Sequence, residues 1–573
     1  MLARSVPVKR MTDRRLQKSD LVTELQPLLA YKLVMRFPVK HRSAEPSTSA
    51  PSSRSPSRPR SQFCLIALTV VGMVVLAAAC GSVQSSSGAA PTKSAISQQS
   101  LAYARCMQAH GVTQFPDPAP SENHNFRADM AGIPGSPAAR PNETCKRLLA
   151  STSTAARSTT ARATASPPAP PADCLTVSQC FAPRQFRVAY GIQPLLERGI
   201  TGRGVTVVLP EEAETGPARP QPITGLLRSV TDIRQDLAGF DSRFALPPAR
   251  IQVITTLAGH SASPWLAGVE EVEDTELVHA VAPGATIREL LVNPAHVSTP
   301  AKLAAAFDTY VRIAARNGEV MSQSGMGQEF NLGESSWTSA EVADINSALE
   351  YAAARHVTVV VASGDYGAIG NGSSTPRKEV SLPASDPWAL AAGGSTLSAN
   401  HVTGAYLSET AWDTPSGSPD ASGGGFSRLF ARPTYQNGVP GIGATRGVPD
   451  VAGEATGTSG MALAFSAPGG GDEFVGAGGA SAAAPFWAGI IALADQDAGH
   501  PLGFVNPDIY RIGRSPLYHK AFHDITTGNN TVTINGVTVT GYQAGPGWDP
   551  VTGWGSPDAQ VLIPLLARYA SQR

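Results

Sequence analysis

From Gly204 to the C-terminus, short β-branched runs alternate with segments of helical period, and this alternation narrows most what the chain can fold into. Residues 204–209, 250–257, 285–292 and 357–361 read as strands. Between them, residues 301–317 and 339–355 carry apolar side chains at helical spacing, the second opened by Thr338 and Glu341 at capping-box spacing. A chain that returns through a helix after each strand lays its strands parallel and covers both faces of the sheet. The expected class is α/β, a parallel sheet with helices on both faces, and about 400 residues is ample for one such core.

Three segments within this stretch carry chemistry. Residues 478–485, Gly-Gly-Ala-Ser-Ala-Ala-Ala-Pro, place Ser481 just ahead of an apolar helical run. There, free N–H groups and the positive end of the helix dipole can hold a developing oxyanion, although an ordinary helix cap would read the same way. Glu270 and Asp274 stand four apart in a helical stretch and share a face, while Glu271, Glu273 and Glu276 point elsewhere. Alone, this is a solvated acidic face. The strand ending at Val361 runs into Ser363-Gly364-Asp365-Tyr366-Gly367, which sets Asp365 at a carboxyl end, where sites in open α/β sheets gather.

Taken together and in order, Glu270-x-x-x-Asp274, Ser363-Gly364-Asp365-x-Gly367 and Gly479-x-Ser481-x-x-x-Pro485 resemble the sedolisins, serine-carboxyl peptidases of subtilisin-like fold. The likeness runs from about Cys174 onward and includes Gly199-Ile200-Thr201-Gly202, Arg432-Pro433-Thr434-Tyr435 and Arg446-Gly447-Val448-Pro449-Asp450. It implies that Ser481 is the nucleophile, Glu270 its base and later acid, Asp274 the partner that shares the proton of Glu270, and Asp365 a protonated oxyanion donor. A carboxylate base works at acid pH, where imidazole is already charged. The rival is a Ser-His-Asp subtilisin, but the chain has no His-Gly-x-His, and the strand at 204–209 stops at Pro210 without an aspartate. His279, five residues past Asp274, reads as a core or helix-end histidine. A different class remains, a catalytically silent binding protein on a peptidase scaffold.

Near the C-terminus, Phe522-His523-Asp524-Ile525 and the glycine-rich loop 544–555 offer hard oxygen donors. The resemblance assigns one structural Ca²⁺ to the side chains of Asp524 and Asp549 and the carbonyls of Ile525, Gly545 and Gly547.

The first 173 residues differ in kind. Residues 1–60 are basic, Ser/Pro-rich and aperiodic, which predicts disorder. Residues 61–80 hold a short apolar core behind Arg54, Arg58 and Arg60 and end in Ala-Ala-Ala-Cys. This is an export signal resembling a bacterial lipobox, with Cys80 as the lipidated residue and an uncleaved signal anchor as the alternative. Its sixty-residue lead suggests translation from a downstream methionine, Met35 being one candidate. A tether (81–100), a small segment with Cys106 and Cys145 (101–149) that resembles a module of envelope lipoproteins, and a Ser/Thr/Pro linker (150–173) precede the peptidase-like domain (174–573). About ninety residues between Cys80 and Cys174 are too few for the large prodomain that sedolisins usually carry.

Six cysteines agree with export. Excluding Cys64 and Cys80 leaves four, paired most simply as Cys106 with Cys145 and Cys174 with Cys180. None follows Cys180, which removes a cysteine nucleophile or thiolate zinc site from the large domain. The chain is formally neutral with 45 basic and 45 acidic residues, but the first eighty hold 13 and 4, so 32 basic face 41 acidic residues beyond them. With no basic patch, nucleic acid is not an expected partner. The expected partners are polypeptide substrates and a membrane reached through lipid on Cys80, and the expected state is a monomer.

Overall fold

In the computed structural model, the strand–helix alternation becomes one sheet of eight strands among the described residues, which are 180–572 without 213–230, 256–267, 293–295, 317, 325–331, 372–375, 414–419 and 467–471. Cys80 and the expected segments from 1 to 173 lie outside these residues, as do Cys106, Cys145 and Cys174. Cys180 is disulfide-bonded. No helix among the described residues is long and apolar enough to cross a membrane.

Two short helices, α1 (Pro183–Ala189) and α2 (Gln193–Glu197), lead into β1 (Thr206–Glu212). Then follow α3 (Ile233–Phe244), β2 (Arg250–Thr255), α4 (Val269–Val281), β3 (Thr286–Val292), α5 (Pro300–Ala315), β4 (Val320–Gln323), α6 (Ser339–Ala354), β5 (Val359–Ala362) and β6 (Leu390–Ala399). After β7 (Tyr406–Ala411), β8 (Gly425–Ala431), β9 (Thr445–Val448), β10 (Val451–Glu454), β11 (Ala462–Ser466) and β12 (Asp472–Gly476) comes the long α7 (Ala480–Ala498). The sheet order is β10-β6-β5-β4-β1-β3-β2, all parallel, with β7 antiparallel on β6.

Period-two alternation along the strands splits the apolar side chains between two cores. Val207, Leu209, Ile287, Val360 and Ala392 face the layer built from α4 and α7, whereas Val208, Leu290, Met321, Val361 and Ala391 face α5 and α6. The helix before β5 starts as expected, with Thr338 N–H donating to Glu341 Oε2 at 2.8 Å. Helices α4 and α7 press together so closely that a Cβ placed on Gly489 would lie 2.6 Å from Val281 Cγ1.

One strand boundary differs from expectation. β1 does not stop at Pro210 but continues to Glu212, with Pro210 in register opposite Leu290 of β3. Its other neighbour, β4, pairs only with Val207 and Val208, so Pro210 lies on a stretch bonded on one side, where a missing N–H is tolerated. The extension carries Glu211 into the protein.

Candidate active site

Helix α4 is unlike the solvated acidic face its composition suggests in isolation. Glu271, Glu273, Asp274 and Glu276 are all buried, and Glu270 is half-buried. Each buried carboxyl has a distinct answer to desolvation. Glu276 accepts the Ala464 N–H at 2.9 Å. Glu271 accepts the Gly268 N–H at 3.2 Å and faces Glu289 of β3, which in turn accepts the Thr275 hydroxyl at 2.6 Å. Burial pushes Glu289 up to about 7, and burial with the Glu289 charge pushes Glu271 well above the usual range.

Asp274 is the centre of the second group. Ser324, just past β4, donates its hydroxyl to Asp274 Oδ2, and Glu211 shares a hydrogen bond with the same carboxyl. Burial, then the neighbouring charge of Glu270, raises Asp274 well above an ordinary aspartate. Burial and the charges of Asp274 and Glu270 raise Glu211 likewise. Like carboxyls this close ionise less readily together, and Asp274 and Glu211 are held by the hydrogen bond between them.

The Ser481 segment opens α7. Its cap, Gly479, has φ +83°, a left-handed value that glycine adopts without strain. Pro485 lacks the N–H that would bond the Ser481 carbonyl. Three successive N–H groups of this turn are held by three different parts of the protein. Gly478 N–H donates to Glu273 Oε1 at 2.9 Å, Gly479 N–H to the Ala455 carbonyl at 2.7 Å, and Ala480 N–H to Asp365 Oδ1 at 2.7 Å. A Cβ on Gly479 would stand 3.4 Å from both Asp365 oxygens, which places this carboxylate directly against the turn. The α4 face, the loop after β5 and the serine turn, separated by up to two hundred residues in sequence, are therefore joined by direct hydrogen bonds.

Four neighbours of the site were not singled out from sequence. Glu211 was hidden behind the proline that reads as a strand stop. Glu273 reads as surplus acid on a helix. Ser324 and Asn371 sit in no motif, yet Asn371 Oδ1 accepts the Asp365 main-chain N–H at 3.2 Å and fixes the start of that loop. A strand pattern read through Pro210 would have exposed Glu211; nothing comparable marks the other three. His279 is buried as expected, with Nε2 2.7 Å from Asp241 Oδ1 and 3.0 Å from the Pro247 carbonyl, so it is turned to structural acceptors.

At the C-terminal loop, Asp524 and Asp549 bracket the glycine turn. Asp524 accepts from Gly547 N–H (3.1 Å) and Tyr518 OH (2.8 Å), and Asp549 from Gly545 N–H (3.4 Å) and Val551 N–H (2.8 Å). Among the described residues no three His, Cys, Asp or Glu side chains gather as a metal site, so an ion here would depend on these two carboxylates and main-chain carbonyls. That all-oxygen donor set suits Ca²⁺ and not a soft metal.

The subtilase family profile matches residues 255–511, and the parallel sheet flanked by helices, with a serine at the start of a buried helix, is the subtilase fold. Kumamolisin of Bacillus sp. (strain MN-32) is 39% identical over 311 residues, 53% of this chain and 51% of that protein. Sedolisin of Pseudomonas sp. (strain 101) is 35% identical over 220 residues (37% and 35%), and human tripeptidyl-peptidase 1 is 32% identical over 260 residues (41% of each). The chain thus spans about half the length or less of these relatives. The solved structure of Pseudomonas sedolisin, a serine-carboxyl proteinase complexed with two molecules of pseudo-iodotyrostatin, superposes with TM-score 0.53 at 26% identity, covering 69% of this chain and 99% of that one. Within the subtilase class, the chain is similar to the sedolisins.

Proposed function

We propose that this protein is an acid-acting serine-carboxyl endopeptidase that cleaves polypeptides outside the cell. The observation that carries the reading is the joining of Ser481's turn to Asp365 through the Ala480 N–H, beside a helix whose Asp274 is hydrogen-bonded to Glu211 and feels the charge of Glu270. Ser481 Oγ attacks the scissile carbonyl while Glu270, ionised, takes its proton. Asp274 orients Glu270 and spreads the proton over a second carboxyl. Asp365, which accepts the Ala480 N–H, acts in its protonated form as the donor to the oxyanion. Glu270 then returns the proton to the leaving amine, and water hydrolyses the Ser481 ester by the same steps reversed.

A bound Ca²⁺ would be held by Asp524 and Asp549 with the Ile525, Gly545 and Gly547 carbonyls, and would supply charge that clamps this loop. Export and a lipid on Cys80, as the Ala-Ala-Ala-Cys ending suggests, would keep the enzyme at the cell surface. The test is a peptide-library digest by the purified exported part from pH 3 to 8. Cleavage should peak below about pH 5, and Ser481→Ala or Glu270→Gln should each remove on the order of a thousandfold or more. A maximum at pH 8, or full activity in Glu270→Gln, would sink the assignment; intact folding without any turnover would favour the silent scaffold.

A further inference from the structure

Among the buried carboxylates to which the catalytic reading gives no task, Glu273 is the one bonded to the serine turn. Glu273 lies one residue from Asp274 and three from Glu270 on α4, and is only 5% exposed. It is not needed as base, proton partner or oxyanion donor. A carboxylate is removed from water at considerable cost unless something answers it, and what answers it here is the Gly478 main-chain N–H at 2.9 Å, three residues before Ser481.

The three N–H groups that fix the serine turn go to unlike acceptors. Gly479 is held by a carbonyl just past β10 and Ala480 by Asp365. Only Gly478 is held by the helix that also carries Glu270. In the interior of an α-helix the main-chain carbonyls are already spent on the helix ladder, so α4 can grip a neighbouring N–H only with a side chain. A glutamate one turn along from Glu270 has the reach to do so. We infer that Glu273 is a positioning residue, whose carboxylate ties the serine turn to α4 and so sets the separation between Ser481 Oγ and the Glu270 carboxylate. The inference rests on the proposed roles of Ser481 and Glu270. The tie itself does not.

The experiment compares Glu273→Gln, which keeps an oxygen acceptor, with Glu273→Leu and Glu273→Met, which do not. Glu273→Gln should stay within about threefold of the parent with an unmoved pH profile. The apolar variants should lose about tenfold to a hundredfold in kcat with KM little changed, as expected when a reacting pair is misplaced by about 1 Å. In a Ser481→Ala background, where no turnover is read, hydrogen exchange in peptides spanning 472–482 should quicken for the apolar variants and not for Gln. That arm separates loss of the tie from failure of the peptidase reading. Unchanged exchange, or unchanged kcat in both apolar variants, would overturn the inference. So would a Gln variant as impaired as Leu with a displaced pH profile, since Glu273 would then belong to the proton chemistry. Should Leu fail to fold, Met, which matches the glutamate in length, carries the same comparison.

Discussion

Two of the places where the described residues bury charge neutralise it in different ways. Beside β9 and β10, Arg446 and Asp450 are both fully buried and joined by two short bonds, Nη1 to Oδ1 at 2.7 Å and Nη2 to Oδ2 at 2.6 Å. Asp450 also accepts from Tyr510 OH and the Ala391 N–H, each at 2.8 Å. Around α4, Glu211, Asp274, Glu271 and Glu289 are relieved instead by hydroxyls, an N–H and hydrogen bonds to one another. A cluster closed by guanidinium keeps its charge balance across the whole working range of pH. One closed by protons keeps it only in acid. The same fold thus has a pH-indifferent anchor at Arg446 and Asp450 and a pH-dependent carboxyl cluster around α4.

Removing the cation should break the contrast most forcibly. Arg446→Met strands Asp450 in the core and should cost about 3–5 kcal/mol, read by denaturant unfolding, with a similar loss at pH 5 and pH 7. A loss confined to one of these would mean that Asp450 takes up a proton and the anchor is not indifferent.

The carboxyl side should show itself in the pH dependence of melting. A carboxyl whose folded value is raised contributes stability that is fully present below its unfolded value, near 4.5, and is lost as the pH climbs to its folded value, about 7 for Glu289. The melting temperature should therefore fall between pH 5 and 8, and Glu289→Gln should make the fall shallower. A melting temperature that rises over this range would contradict the shared-proton picture.

The smallest effect concerns the glycine loop, where carboxylates are met by main-chain N–H groups and neither device operates. Calcium at a hundredfold its dissociation constant should add about 2.7 kcal/mol, and Asp549→Ala should abolish the response of the melting temperature to chelator and to added calcium. Equal melting with and without chelator in the parent would argue against an exchangeable ion.

Much of the fold is legible in the sequence, for reasons of locality. Ser481, Asp365, Glu270 and Asp274 each sit in a short motif whose spacing is itself the signal, and the strand–helix alternation announces a parallel sheet. The burial of α4 was not legible. Five acids in seven residues look solvated until the partners that absorb them, Glu289, Gly478, Ala464, Glu211 and Ser324, are brought from five distant places in the chain. Glu211 was obscured further by Pro210, since the rule that proline ends a strand fails where the strand has only one bonded neighbour.

The tight seam between Gly489 and Val281 has a consequence for inheritance. The two helices that bear Ser481 and Glu270 meet where a single hydrogen stands in place of a side chain, eight residues from Ser481. A codon change to alanine there would leave every motif intact and still wedge the helices apart. Descendants of this gene could lose the enzyme at a position no motif search inspects, and a lineage that kept all four chemical residues yet drifted at Gly489 would look active on paper while being silent in the cell.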